Sequence, residues 1–186
     1  MNPTSNKSDF EDLTTNLKDL AYSYLEKYNP SKQQLKVFLL KKYLLKIKGT
    51  KSKKEVTSII DEIISNLEKN KLLNDEMYSD SKARMFLRRG YSLNKINQSL
   101  RNKGIEDKYV KQSIEKIKEE QIEPDFVSAL KLCRRRRIGP LRPERNRELF
   151  YKKDMGILAR GGFSFDLSKR VLELDQKEFN KLIKII

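Results

Sequence analysis

One pattern that recurs three times constrains this chain more than any other feature. The three copies are AYSYLEKYNPSKQQLKVFLLKK, KARMFLRRGYSLNKINQSLRNKG and MGILARGGFSFDLSKRVLEL. In each, an apolar helical stretch ends in basic or small residues, then comes a short break, an aromatic or proline, and a serine. Ser31, Ser92 and Ser164 take equivalent places, 61 and 72 residues apart. A serine there is suited to cap the following helix, because its hydroxyl accepts from a backbone N–H that has no helical partner. Gly90 and Gly161–Gly162 suit a chain leaving the previous helix through a left-handed residue, and Tyr91 and Phe163 are placed to fold back on the new helix as a hydrophobic staple. Leu35, Ile96 and Ser168 fall in register, as do Leu39, Leu100 and Leu172; at the first position of the third copy Leu167 is the apolar substitute.

Apolar residues elsewhere recur at helical spacing, and nothing alternates as a strand would. Val56, Ile59, Ile60, Ile63, Ile64 and Leu67 form one stripe, and Val110, Ile114 and Ile117 another. A third helix is therefore predicted in each copy, over about 53–70, 107–121 and 175–186, with Gly104 ending the second helix of the middle copy. The expected fold is all-α, an elongated tandem array of three-helix units, since one such unit buries its apolar faces only against neighbours. The expected limits are 13–73, 74–122 and 145–186. Residues 1–12 are expected to lack fixed structure, and a linking helix and Pro-containing connector span 123–144.

Composition narrows the chemistry. There is no histidine, so the usual base near neutral pH and the commonest zinc ligand are missing, and the one cysteine, Cys133, excludes an internal disulfide. No Gly-rich phosphate loop or nucleophile elbow is present. No catalytic residue, cofactor or metal is expected. Cys133 shares a stripe with Phe126, Ala129 and Leu130 and reads as a small buried residue. Asn74-Asp75-Glu76 reads as a helix start rather than a magnesium site. Tyr22, Tyr24, Tyr28, Tyr91 and Phe163 read as residues packed between units rather than base-stacking platforms. With no apolar run of membrane-spanning length and no signal-type segment, the chain reads as cytosolic.

The formal net charge is +15, which suits a polyanionic partner. The charge is unevenly placed. Residues 31–54 hold nine lysines and no acid, and 81–104 hold seven cations and no acid, whereas 55–80 and 105–125 balance at −5 and −3. The first two helices of each unit are thus basic and the third acidic. Either the array has a basic and an acidic flank, or these charges pair inside each unit. Arg134, Arg135, Arg136 and Arg137 form the densest cationic run, and nine of the thirteen arginines lie in 134–170. A helical run of four points all round the helix, so at least two should be exposed, where forked guanidinium groups suit phosphate.

Leu73-Asn74-Asp75-Glu76-Met77-Tyr78-Ser79, Arg89-Gly90-Tyr91-Ser92, Leu100-Arg101-Asn102-Lys103-Gly104-Ile105 and Arg160-Gly161-Gly162-Phe163-Ser164, in this order and repeat context, resemble the RecX family of bacterial recombinase regulators over about residues 20–175. The first copy departs from that pattern, reading Tyr28-Asn29-Pro30-Ser31 without glycine. The resemblance implies tandem three-helix units and a cytoplasmic protein that binds RecA–DNA filaments and modulates, most often inhibits, ATP hydrolysis and strand exchange in DNA repair and recombination; a monomer is expected, though the sequence does not separate it from a dimer. Joined to the charge pattern, it points to a filament-facing surface of Lys41, Lys42, Arg88, Arg89, Arg134, Arg135, Arg136 and Arg137 that contacts DNA phosphate without sequence preference. Ser31, Gly90, Tyr91, Ser92, Gly104, Gly162, Phe163 and Ser164 are the structural residues of the repeat junctions. Two other classes compete. A helix-turn-helix reader would use 92–120, but its second helix carries Glu106, Asp107, Glu115, Glu119 and Glu120, which phosphates repel. A plain helical scaffold would touch neither DNA nor recombinase.

Overall fold

A computed structural model describes residues 3–46 and 53–185, and side chains over 13–44 and 54–185. Among the described residues the secondary structure is helical: α1 (Pro3–Tyr28), α2 (Lys32–Lys46), α3 (Lys53–Lys69), α4 (Asp75–Arg88), α5 (Leu93–Arg101), α6 (Asp107–Glu120), α7 (Pro124–Arg136), α8 (Glu144–Arg160), α9 (Phe165–Leu172) and α10 (Gln176–Ile185), with one turn of 3-10 helix at Gly139–Leu141. The all-α expectation holds, and the third helices fall within a few residues of their predicted limits. The N-terminus differs: α1 starts at Pro3, inside the 1–12 stretch expected to lack structure. Extending a helix whose later turns are already packed adds one backbone bond per residue fixed, which is far easier than nucleating a new one. Met1 and Asn2 lie outside the described residues.

Contacts group the chain into two compact units, Met1–Tyr78 with Lys103–Glu106, and Ser79–Asn102 with Asp107–Ile186. In the first, Leu13, Leu17 and Ala21 of α1, Leu35, Leu39 and Tyr43 of α2, and Val56, Ile59, Ile60, Ile63, Ile64 and Leu67 of α3 form one core closed by Leu73. Tyr24 stacks on Phe38 with ring centroids 3.9 Å apart, so it packs inside the unit. In the second, Ala129, Leu130, Leu132 and Cys133 of α7 meet Leu158 of α8, Val171 and Leu172 of α9, and Phe179 of α10. Ser168 is buried here, as its register predicts, while Leu167 packs partly buried against the same core. Truncating one of the fully buried leucines should cost about 2–5 kcal/mol.

All three serines cap the helix that follows, and two of the junctions are double caps. Ser31 Oγ accepts from the Gln34 N–H at 3.2 Å, and Gln34 Oε1 accepts from the Ser31 N–H at 3.2 Å, a reciprocal capping box. Ser92 Oγ accepts from Lys95 N–H at 3.1 Å, and Ser164 Oγ from Leu167 N–H at 3.3 Å. A carboxylate from later in the chain adds a second acceptor at two of them. Asp75 Oδ1 takes the Lys32 N–H at 2.9 Å, and Asp125 Oδ1 the Leu93 N–H at 2.7 Å. Asp75 is therefore a capping group for α2, and Asn74 Oδ1 caps its own helix through Met77 N–H.

Gly90, Gly104 and Gly162 have φ of +73°, +75° and +89°, where side chains are strained. In the first copy Asn29 takes the same role with φ +40°, which is how that junction dispenses with glycine. The Tyr91 ring stacks on Phe86 of the preceding helix, centroids 5.5 Å apart. The left-handed Gly90 turns Tyr91 back onto the helix just left, and Tyr91 N–H donates to the Phe86 carbonyl at 3.1 Å.

Candidate functional site

The charges resolve into two populations. One is paired within its unit. Lys32 Nζ lies 3.0 Å from Glu68 and 3.3 Å from Glu106, Lys36 pairs with Asp61, and Arg84 bonds Glu120 through both guanidinium nitrogens at 2.7 Å. Burial works against the charge of Lys32, but Glu68 and Glu106 outweigh it and hold its pKa above the usual lysine value. These pairs join α2 to α3 and α4 to α6, so much of the acid on the third helices is matched inside each unit. Exposed pairs of this kind are weak, because water and salt screen them.

Three members of the arginine-rich stretch are structural too. Arg142 grips the buried Asp154 through Nε at 2.6 Å and Nη2 at 2.7 Å. Arg147 donates to the Leu172 and Leu174 carbonyls at 2.7 and 2.6 Å, tying down the end of α9. Arg170 pairs with Glu123 and lies 4.1 Å from the Phe126 ring centroid. Arginine density alone therefore overstates the functional surface.

The second population is unpaired. Arg134, Arg135, Arg136 and Arg137 are all exposed, and among the described residues none pairs with a carboxylate. All four clear the core because the helix stops between them. Arg137 has φ +52°, its N–H returns to the Arg134 carbonyl, and Ile138 N–H returns to the Cys133 carbonyl. This is the usual left-handed helix exit, with arginine where glycine is commonest. The concentration of positive charge is felt at Lys131, whose pKa is pushed down by burial and then by Arg134.

Arg135 and Arg136 open onto a groove of about 410 Å³ lined also by Tyr91, Lys95, Leu132, Ile157, Arg160 and Gly161. Four cations thus converge on one concave site, and no acid lines it. Small residues bring its walls together. A Cβ on Gly90 would stand 2.8 Å from the Leu132 nitrogen and the Ser128 carbonyl, so the backbone of α7 rests directly on the junction before α5. A Cβ on Gly161 would stand 3.0 Å from Leu132 Cδ2, and Ser92 N–H donates to the Gly161 carbonyl at 3.1 Å. The junction residues therefore hold α5, α7 and α8 at the spacing that places the four cations together.

The sequence-predicted cations are only partly assembled. Arg135 and Arg136 line the groove. Arg134 and Arg137 are exposed but outside its lining, and Arg88 and Arg89 are exposed at the end of α4. Lys41 and Lys42 are exposed in the other unit. The sequence does not single out Lys95 or Arg160. Both flank a junction motif, Lys95 three residues after the capping serine and Arg160 just before Gly161, and that placement is the signal available for them.

Nothing in the second unit suggests nucleophilic chemistry at its thiol. Burial, then the charge of Asp154, pushes Cys133 up to about 12, so it is a protonated core residue. Among the described residues no group of three or more acids and cysteines could hold a metal ion, and no helix is long and apolar enough to cross a membrane.

No family model matches the chain. Curated relatives do. A regulatory protein RecX of Myxococcus xanthus is 34% identical over 161 residues, spanning 86% of this chain and 85% of that one. A regulatory protein RecX of Agrobacterium fabrum is 26% identical over 113 residues, 61% and 58% of the two chains. Two crystal structures share the fold. A regulatory protein RecX aligns with TM-score 0.61 at 21% identity over 94% of this chain and 79% of its own, and RecX from Lactobacillus salivarius with 0.57 at 19% over 95% and 99%. With the junction motifs and the helical units in agreement, the chain belongs to the RecX family of regulatory proteins.

Proposed function

We propose that this protein binds RecA–DNA filaments in the cytoplasm as a monomer and restrains RecA ATP hydrolysis and strand exchange, with no catalysis of its own. The reading rests on family membership together with one observation, the groove where Lys95, Arg135, Arg136 and Arg160 converge without a carboxylate. Uncompensated cations facing one another raise the local potential, and a phosphate between them relieves it. Forked guanidinium groups take two phosphate oxygens each, and such contacts fix position without reading sequence. Arg88, Arg89, Arg134 and Arg137, and Lys41 and Lys42 in the first unit, are assigned to the same filament-facing role. The repeats 13–73, 74–122 and 145–186, linked by 123–144, are the proposed organisation that presents them.

The test is binding of the full chain to a labelled single strand across a salt series. If each groove cation meets one phosphate, the slope of log K against log salt loses about 0.7 per contact, hence roughly 3 for the quadruple variant Lys95→Gln, Arg135→Gln, Arg136→Gln, Arg160→Gln. An unchanged affinity and slope in a variant of native circular dichroism would overturn the groove assignment. A strong preference for one duplex sequence would favour a helix-turn-helix reader instead.

A further inference from the structure

Helix α2 has more surface chemistry than its core requires. Leu35, Leu39 and Tyr43 form its buried face. Lys32 and Lys36 reach sideways to Glu68, Glu106 and Asp61, so those two charges are matched within the unit. The remaining face carries Val37, Lys41 and Leu44, at i, i+4 and i+7, with the partly buried Leu40 beside them. Val37 is 53% exposed and Leu44 62%. Lys41 forms no ion pair among the described residues, and the Lys42 ammonium lies 5.8 Å from the Phe38 ring centroid. No acid occurs anywhere in residues 31–54.

An apolar seam set in lysines discriminates among occupants. Nucleic-acid phosphates would satisfy Lys41 and Lys42 but leave Val37 and Leu44 in water. A second copy of the same face would bring lysines against lysines with no acid between them. A helix with apolar residues on one stripe and carboxylates along its edges satisfies both components, since such faces are read through anchors at i, i+3 or i+4, and i+7. We propose that the outward face of α2, through Val37, Leu40, Lys41 and Leu44, docks an acidic amphipathic helix of a partner protein. None of these residues lines the arginine groove, and for Lys41 a partner carboxylate replaces the phosphate role given above.

The probe is a fluorescein-labelled synthetic helix with leucines at i, i+4 and i+7 flanked by glutamates, set against the same peptide with glutamines replacing the leucines. By anisotropy the full chain should bind the leucine peptide about tenfold more tightly or better, a difference of roughly 1.4 kcal/mol. The double variant Val37→Gln, Leu44→Gln should remove that preference while keeping single-strand affinity within about twofold, since neither residue is placed in the phosphate site. Lys41→Glu should weaken both peptides and flatten their salt dependence. Equal binding of the two peptides, or full retention of the preference in the double variant, would overturn the proposal. The groove reading has its own readout, single-strand affinity, and survives or fails independently.

Discussion

Asp154 offers a test in which a second substitution should undo most of the damage done by the first. Its carboxylate is 1% exposed and accepts three bonds: two from Arg142, at 2.6 and 2.7 Å, and one from the Gly139 N–H at 2.9 Å. Arg142 also lies 4.4 Å from the Phe150 ring centroid. Asp154→Ala leaves a guanidinium whose side chain is only 19% exposed and a buried amide without partners. Breaking a buried pair from one side costs about 3–5 kcal/mol, a large part of a typical total stability of roughly 5–15 kcal/mol. The melting midpoint should fall by about 6–20 °C, at about 2–4 °C per kcal/mol for a chain of this size. Asp154→Asn keeps an acceptor for Gly139 and should lose about 1 kcal/mol less. The double replacement Asp154→Leu, Arg142→Met removes both charges and should recover most of the loss. The assay is urea unfolding followed at 222 nm, with thermal melts alongside. A loss below about 1 kcal/mol for Asp154→Ala, or a double variant no better than the worse single, would refute this energetic account. The result also bears on the groove, because the Gly139 bond anchors the chain just after Arg137.

Three further outcomes follow from local geometry. Gly162→Ala would combine φ +89° with a Cβ 2.4 Å from Ser92 Oγ and should destabilise by about 1–3 kcal/mol, whereas Gly156→Ala, inside α8 with nothing nearer than the Arg160 Nη1 at 3.5 Å, should stabilise by about 0.5–1 kcal/mol; equal effects in chemical denaturation would contradict the strain argument. Arg137→Gly should raise the melting point by relieving a left-handed arginine worth about 1 kcal/mol, and a lowered one would show that the side chain is held by contacts absent from this account. With its pKa pushed up to about 12, Cys133 has on the order of 1000-fold less thiolate at pH 8 than an unfolded cysteine, so a chromogenic disulfide reagent should label it rapidly only in denaturant; fast labelling in native buffer would contradict its burial.

Local features were readable from the sequence because the causes are local. A capping serine needs only an amide three residues on, so Ser31, Ser92 and Ser164 located three helix starts, and the isoleucine stripe of α3 required only the helical period. What escaped depends on approach between distant segments. Asp75 and Asp125 cap helices 43 and 32 residues upstream, and no spacing rule announces that. Lys95 and Arg160 join Arg135 and Arg136 because Gly90 and Gly161 let α7 pack backbone-close, and a glycine in a sequence does not say what will rest upon it. Arginine count misled for the converse reason: Arg142, Arg147 and Arg170 look the same as Arg135 in sequence, and only Asp154, two free carbonyls and Glu123 set them apart. The charge alternation between helices was plain, but its meaning was not. Much of it is internal pairing, and part of the unpaired remainder lines the groove.

Filament inhibition through the groove is best measured by the single-strand-dependent ATPase activity of the cognate RecA, titrated with this protein and with its quadruple groove variant. Progressive inhibition by the wild-type chain is expected, with the half-inhibitory concentration shifted upward by about tenfold or more for the variant, which lacks the four cations proposed to hold phosphate. Undiminished ATPase activity at saturating wild-type protein, or equal inhibition by the two proteins, would contradict it.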